Sequence, residues 1–128
     1  MTITPISTLV ARAKEEITTL TPEDARAEVG AGQAIFVEIR DIRELQRDGR
    51  MPDAVHAPRG MLEFWVDPHS PYHKPVLATD KRLILFCAGA MRSSLAVKTL
   101  QDMGLRNVAE MDEGFAGWVR RDWPVARD

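Results

Sequence analysis

The chain has one cysteine, Cys87, so it cannot close a disulfide within itself. A lone thiol fits a reducing compartment, and the cytoplasm is the expected location. Long apolar runs are missing as well. No stretch approaches the roughly 20 residues that a membrane-spanning helix needs. Near the N-terminus Arg12, Lys14, Glu15 and Glu16 interrupt every apolar run, so no signal-peptide core is expected. An excess of one charge sign is also lacking. Lys and Arg number 17 against 19 Asp and Glu, which gives neither nucleic acid nor an anionic membrane a reason to bind. A metal-ligand pattern is wanting too. His69 and His73 are four apart, but Pro68, Pro71 and Pro75 argue against a helix that would align them, and no fourth ligand joins them with Cys87. No metal is expected.

What is present is organised around Leu83-Ile84-Leu85-Phe86, four bulky apolar residues that run into Cys87. A short, uninterrupted apolar run predicts a parallel strand buried on both faces. After the small-residue loop Ala88-Gly89-Ala90, Leu95, Ala96, Leu100 and Met103 recur at helical spacing, and Gly104 follows as a stop. Strand, tight loop and helix place Cys87 at the carboxyl end of a central strand, where open α/β sheets bind ligands. A thiol is a weak nucleophile until it ionises, and helix N-termini and nearby cations favour the thiolate. A helix starting at Ser93 or Ser94 would offer free N–H groups, and Arg92 a permanent positive charge. Ala88, Gly89 and Ala90 let the loop curl with its N–H groups inward, as an anion-binding nest. These residues predict a thiolate on the floor of an anion cradle.

At 128 residues the chain suits one domain, which would bury about two thirds of its unfolded surface. In order, Ser7 is expected to cap a first helix with an apolar stripe of Leu9, Val10, Ala13 and Ile17. Packing on the sheet is favoured over a dimer contact. A short strand is read at Thr18-Thr19-Leu20. Thr21-Pro22-Glu23-Asp24 then starts a helix ending before Gly30 or Gly32. Ala34–Ile39 reads as the next strand. Asp41 with Glu44 forms a capping box for a helix that stops at Gly49. Val55-His56-Ala57 is a short strand, Asp67 to Asp80 a surface loop and Asn107 to Met111 the last strand. A final helix with Phe115, Trp118 and Val119 runs to the Trp123-Pro124 break. The fold class is a single three-layer α/β domain with a mostly parallel sheet of about five strands and helices on both faces.

Four segments resemble the rhodanese family. Cys87, four intervening residues and Arg92 match its active-site loop. Ile35-Phe36-Val37-Glu38-Ile39-Arg40 is similar to its first signature, with Glu38 where an aspartate is usual. Gly49 to Pro58 resembles the second, with Arg50 and Asp53 in place of a common histidine and glycine. Asn107-Val108 through Glu113-Gly114-Phe115-Ala116-Gly117-Trp118 resembles the closing signature. All four stand in family order and at family spacing over roughly Ile17 to Val125. The resemblance implies a rhodanese-like domain over 17–128, with 1–16 as a helical extension packed on it.

It further implies a sulfurtransferase working by double displacement. Cys87 would take a sulfane sulfur from thiosulfate or a persulfide and pass it to a thiol or cyanide. Ala88, Gly89, Ala90, Met91, Arg92 and Ser93 would form the persulfide-binding loop, and Arg59 an auxiliary cation. Arg40 is read as a scaffold arginine paired with Glu44 or loop carbonyls, His56 as a satisfied structural group, and Trp65 as core. No cofactor is called for beyond the covalent persulfide. The expected partners are a small anionic sulfur donor, a thiol or cyanide acceptor and, as a further candidate, a sulfur-relay protein. One alternative is a non-catalytic sulfur-carrier or binding module. Another is a cysteine phosphatase or arsenate reductase, whose relatives have five residues between cysteine and arginine where this chain has four.

Overall fold

Side-chain oxygens start two of the helices as their residues dictate. Thr21 Oγ1 accepts the Asp24 N–H at 3.1 Å, and Asp41 Oδ1 accepts the Arg43 N–H at 2.8 Å while Glu44 Oε2 accepts the Asp41 N–H at 3.1 Å. The computed structural model describes residues 2–127. Its elements are α1 (Ile6–Glu16), β1 (Thr19–Leu20), α2 (Pro22–Gly30), β2 (Ala34–Glu38), α3 (Ile42–Asp48), β3 (Val55–His56), α4 (Leu62–Val66), β4 (Arg82–Phe86), α5 (Arg92–Asp102), β5 (Val108–Met111) and α6 (Gly114–Arg120), with a 3-10 turn at Pro75–Leu77. The strands lie in the order β1-β5-β4-β2-β3, every neighbouring pair parallel, so β4 is central.

Alternation along β4 divides the core in two. Leu83, Leu85 and Cys87 join Ala96, Val97 and Leu100 of α5 and Leu62 of α4 on one face. Ile84 and Phe86 join Ala25 of α2 and Phe115 and Trp118 of α6 on the other. Phe36 meets both Phe86 and Trp118 edge to face, at centroid separations of 5.8 and 5.6 Å. Helix α1 lies on α5, burying Val10 and Ala13, and the Glu16–Lys98 ion pair at 3.2 Å joins the two.

Several boundaries differ from the sequence reading. Pro5, not Ser7, precedes α1, so Ser7 lies inside the helix. Leu9 is exposed, because the buried stripe is narrower than its apolar residues. Helix α5 starts at Arg92, ahead of both serines, and Met103 lies beyond its end, exposed. Helix α6 stops at Arg120. A turn with Asp122 at φ 55° then leads back to an Arg50–Ala126 bridge. Asp53 takes φ 65° at the position where the resembling motif has glycine, a conformation short polar side chains tolerate. Among the described residues no helix is long and apolar enough to cross a membrane.

Candidate active site

The loop that leaves β4 is pinned to α6. Phe115 N–H donates to the Cys87 carbonyl at 2.8 Å and Ala116 N–H to the Ala88 carbonyl at 3.0 Å. Because each peptide is planar and trans, these contacts turn the Ala88 and Gly89 N–H groups away from α6. Among the described residues no backbone carbonyl takes the N–H groups of Ala88, Gly89, Ala90 or Met91. The approach is possible because residue 114 is glycine. A Cβ there would sit 2.1 Å from the Gly89 carbonyl oxygen and 2.5 Å from that of Cys87, and φ is +59°. Gly89 and Met91 form the exposed rim of the loop, while Cys87 is 1% exposed beneath it.

The Cys87 thiol donates to Ser93 Oγ at 3.7 Å, from the first turn of α5. Ser93 in turn donates to Glu110 Oε1 at 2.7 Å. Arg92 does not turn into the loop to bind a backbone carbonyl. Its Nη1 and Nη2 reach Glu44 Oε2 and Oε1 at 2.8 and 3.0 Å. That fork holds the Glu44 carboxyl below its ordinary value of 4.5, helped by the Asp41 N–H. It also raises Arg92, to which the nearby Cys87 and Glu38 add smaller contributions.

Glu44 therefore serves Arg92 and not Arg40. The buried Arg40 pairs instead with Glu38, Nε and Nη2 to Oε1 at 3.0 and 2.7 Å, and gives a further bond to the Gly49 carbonyl at 3.1 Å. The methylene that lengthens Glu38 relative to aspartate lets its second oxygen accept the Arg40 N–H at 3.1 Å. The Arg40 guanidinium also lies 4.0 Å from the Phe115 ring centroid, which ties β2 to the start of α6.

Arg59 lies before α4 and is held by Glu63 of α4, Nη1 at 2.6 Å, and by Thr99 Oγ1 of α5, Nη2 at 3.5 Å. Among the described residues no hydrogen bond joins it to the loop. His56 Nε2 meets the Arg40 carbonyl oxygen at 2.7 Å, and His73 Nδ1 that of Trp65 at 2.9 Å. Trp65 is half-buried against the α5-side core. Among the described residues no group of three or more His, Cys, Asp or Glu could hold a metal ion. Glu110 has no assigned role in the sequence pattern, and Gly114 enters it only as part of the closing signature. The signal for Glu110 was a charge inside Val108-Ala109-Glu110-Met111, a strand expected to be buried.

The family model described as a Rhodanese-like domain matches residues 21–121. A solved structure from Rhodopseudomonas palustris CGA009, a protein of unknown function described as "Possible Tyrosine Phosphatase", is 46% identical, with a TM-score of 0.92 over 98% of both chains. The thiosulfate sulfurtransferase GlpE of Glaesserella parasuis is 26% identical, over 88% of this chain and 95% of the relative. A polysulfide-sulfur transferase of Wolinella succinogenes is 27% identical, with a TM-score of 0.71 over 94% of this chain and 86% of that one.

Proposed function

The chain belongs to the rhodanese-like domain family, and from that premise we propose that it is a sulfurtransferase working through a persulfide on Cys87. The observation that carries this reading is the loop. It sets a thiol at its head, at the carboxyl end of the central strand and beside the start of α5, and its four consecutive N–H groups have no backbone acceptor among the described residues. Such donors suit a small anion or a terminal persulfide sulfur.

The reaction runs as a double displacement. The Cys87 thiolate attacks the outer sulfur of thiosulfate or of a persulfide. The donor's S–S bond breaks, the donor remainder leaves as an anion, and Cys87 carries one added sulfur. The cradle stabilises the negative terminal sulfur. A thiol or cyanide then attacks it, and the thiolate returns. The groups described need no other cofactor for these steps. The carbonyl contacts from α6 and the Arg92–Glu44 fork hold the cradle's shape, while Met91 and Gly89 face the incoming partner. With Arg59 neutralised by Glu63, the loop itself supplies most of the anion recognition. Either a small anionic donor or a sulfur-relay protein fits this arrangement. A free thiol used in this way suits a reducing compartment such as the cytoplasm.

A second reading, phosphate-ester hydrolysis, is favoured by the description of the R. palustris relative. Against it, only four residues separate Cys87 from Arg92, and both terminal nitrogens of that arginine are engaged by Glu44. The tighter ring suits one sulfur better than a phosphoryl group.

Intact-protein mass spectrometry tests the proposal. Incubation with thiosulfate, or with a persulfide donor, should add one sulfur that cyanide removes, and Cys87→Ser should gain none. No gain with either donor, together with turnover of p-nitrophenyl phosphate, would replace this reading with the second.

A further inference from the structure

Glu110 is fully buried on β5, between the apolar residues Val108, Ala109 and Met111 of the same strand. A buried carboxylate is costly unless other groups satisfy it. Here the donors come from three elements. Lys14 Nζ on α1 and Thr19 Oγ1 on β1 reach Oε2 at 2.9 Å each. On α5, Ser93 Oγ lies 2.7 Å from Oε1; Ser94 Oγ lies 3.0 Å from both oxygens, but its one hydrogen is shared with the Ala90 carbonyl at 2.6 Å. Lys14 and Thr19 both precede the matched span 21–121, so this chain's own N-terminal segment completes the cluster.

We propose that Glu110 is a positioning residue for Cys87, acting through Ser93, and that Lys14 sets its strength. The argument is a count of hydrogens. A serine hydroxyl has one hydrogen, and that of Ser93 goes to Glu110. The Ser93 oxygen therefore turns a lone pair to the sulfur, and Cys87 must be the donor at 3.7 Å. This arrangement favours the thiol. The thiolate, in contrast, needs the Ser93 hydrogen, which Glu110 releases more readily when its negative charge is offset. Lys14 supplies that offset. In this step the S–H bond of Cys87 breaks and its proton leaves to solvent, while the Ser93 hydroxyl swings from Oε1 to Sγ; no bond to carbon changes. The other charges at the seam are matched, Lys98 with Glu16 and Asp102, and Arg92 with Glu44.

The inference rests on Cys87 being the nucleophile proposed above, but its test does not use sulfur transfer. The rate of iodoacetamide alkylation of Cys87 is followed against pH, and the midpoint of the profile is read. Glu110→Gln should move the midpoint down, the direction expected when a like charge is removed. Lys14→Met should move it up, and Lys14→Arg should restore it. In a Ser93→Ala background the Glu110→Gln shift should shrink. A purely structural role for Glu110 would change amplitudes or melting but leave the midpoints alone. Unmoved midpoints, or shifts of opposite sign, overturn the proposal. Should Glu110→Gln fail to fold, the two Lys14 variants decide the matter alone, since that side chain is 38% exposed. Sulfur loading measured on the same samples separates failure here from failure of the proposed function.

Discussion

Arg92 and Glu44 meet as a two-pronged fork, Nη1 to Oε2 at 2.8 Å and Nη2 to Oε1 at 3.0 Å, although 48 residues separate them. The pair joins the start of α5, where the Cys87 loop ends, to the first turn of α3. Arg92 is 43% and Glu44 19% exposed, so the pair is worth less than about 1 kcal/mol to folding. Its effect belongs to the loop. Arg92→Ala is expected to lower sulfur transfer by about 10- to 100-fold, the order of loss when a reacting group is misplaced by a change outside the chemistry. Melting should move by only a few degrees. Turnover at the native rate would remove Arg92 from the mechanism.

The same pair sets an acid limit. Glu44 is held below its ordinary value of 4.5, first by the Arg92 hydrogen bond and then by the Asp41 N–H. A carboxylate depressed in the fold contributes stability above its unfolded value and loses it as pH falls through the folded one. The loop should therefore keep its shape at neutral pH and loosen only below pH 4.5. Glu44→Gln removes the charge at every pH, so its turnover relative to the parent should improve as the parent is acidified. Parallel acid profiles would show that Glu44 does not set this limit.

Much of this architecture is legible in the residues. Leu83–Phe86 has no polar interruption, so its strand, its burial and the place of Cys87 at its end follow directly. Asp41 and Glu44 close a local capping box because both partners lie within one turn. What depends on tertiary approach is not legible. The Glu44 carboxylate caps locally with one oxygen, but its pairing with Arg92 needs α3 and α5 to meet. Arg40 had carboxylates within reach on both sides in sequence. The choice of Glu38 follows from the side chain's turning inward at the end of β2, where Glu44 lies outside. Glu110 gave a signal, a charge in a buried strand, but its partners Lys14 and Thr19 lie 96 and 91 residues away.

Gly114→Ala should be among the most damaging single changes outside the loop. The left-handed backbone alone would cost about 1–3 kcal/mol with a side chain present. The added Cβ would also fall 2.1 Å from the Gly89 carbonyl oxygen, which is backbone and cannot rotate away. Either the loop or α6 must then shift. The expected result is a lower melting temperature and loss of sulfur loading on Cys87. Gly30→Ala, with nothing within 4 Å of the new Cβ, is the control and should leave loading intact. Equal behaviour of the two variants would mean that the close approach of α6 does not shape the loop.

Glu38 and Arg40 offer a sharper test of what holds the site's floor. Both are 1% exposed, and their contact at 2.7 Å has little solvent to screen it. Removing one partner leaves the other charge buried and unpaired. Arg40→Met should therefore destabilise by about 3–5 kcal/mol, a large part of the stability of a domain this size. Glu38→Leu with Arg40→Met removes both charges, and its loss should be smaller than that of Arg40→Met alone. Glu38→Asp keeps the charge but shortens the reach, so one carboxylate can no longer take both the guanidinium and the Arg40 N–H. It should fall between the parent and Arg40→Met. Urea unfolding of the variants reads this order. If the double variant proves as unstable as Arg40→Met, the arginine matters chiefly through its bond to the Gly49 carbonyl and its packing on Phe115, and the ion pair is incidental.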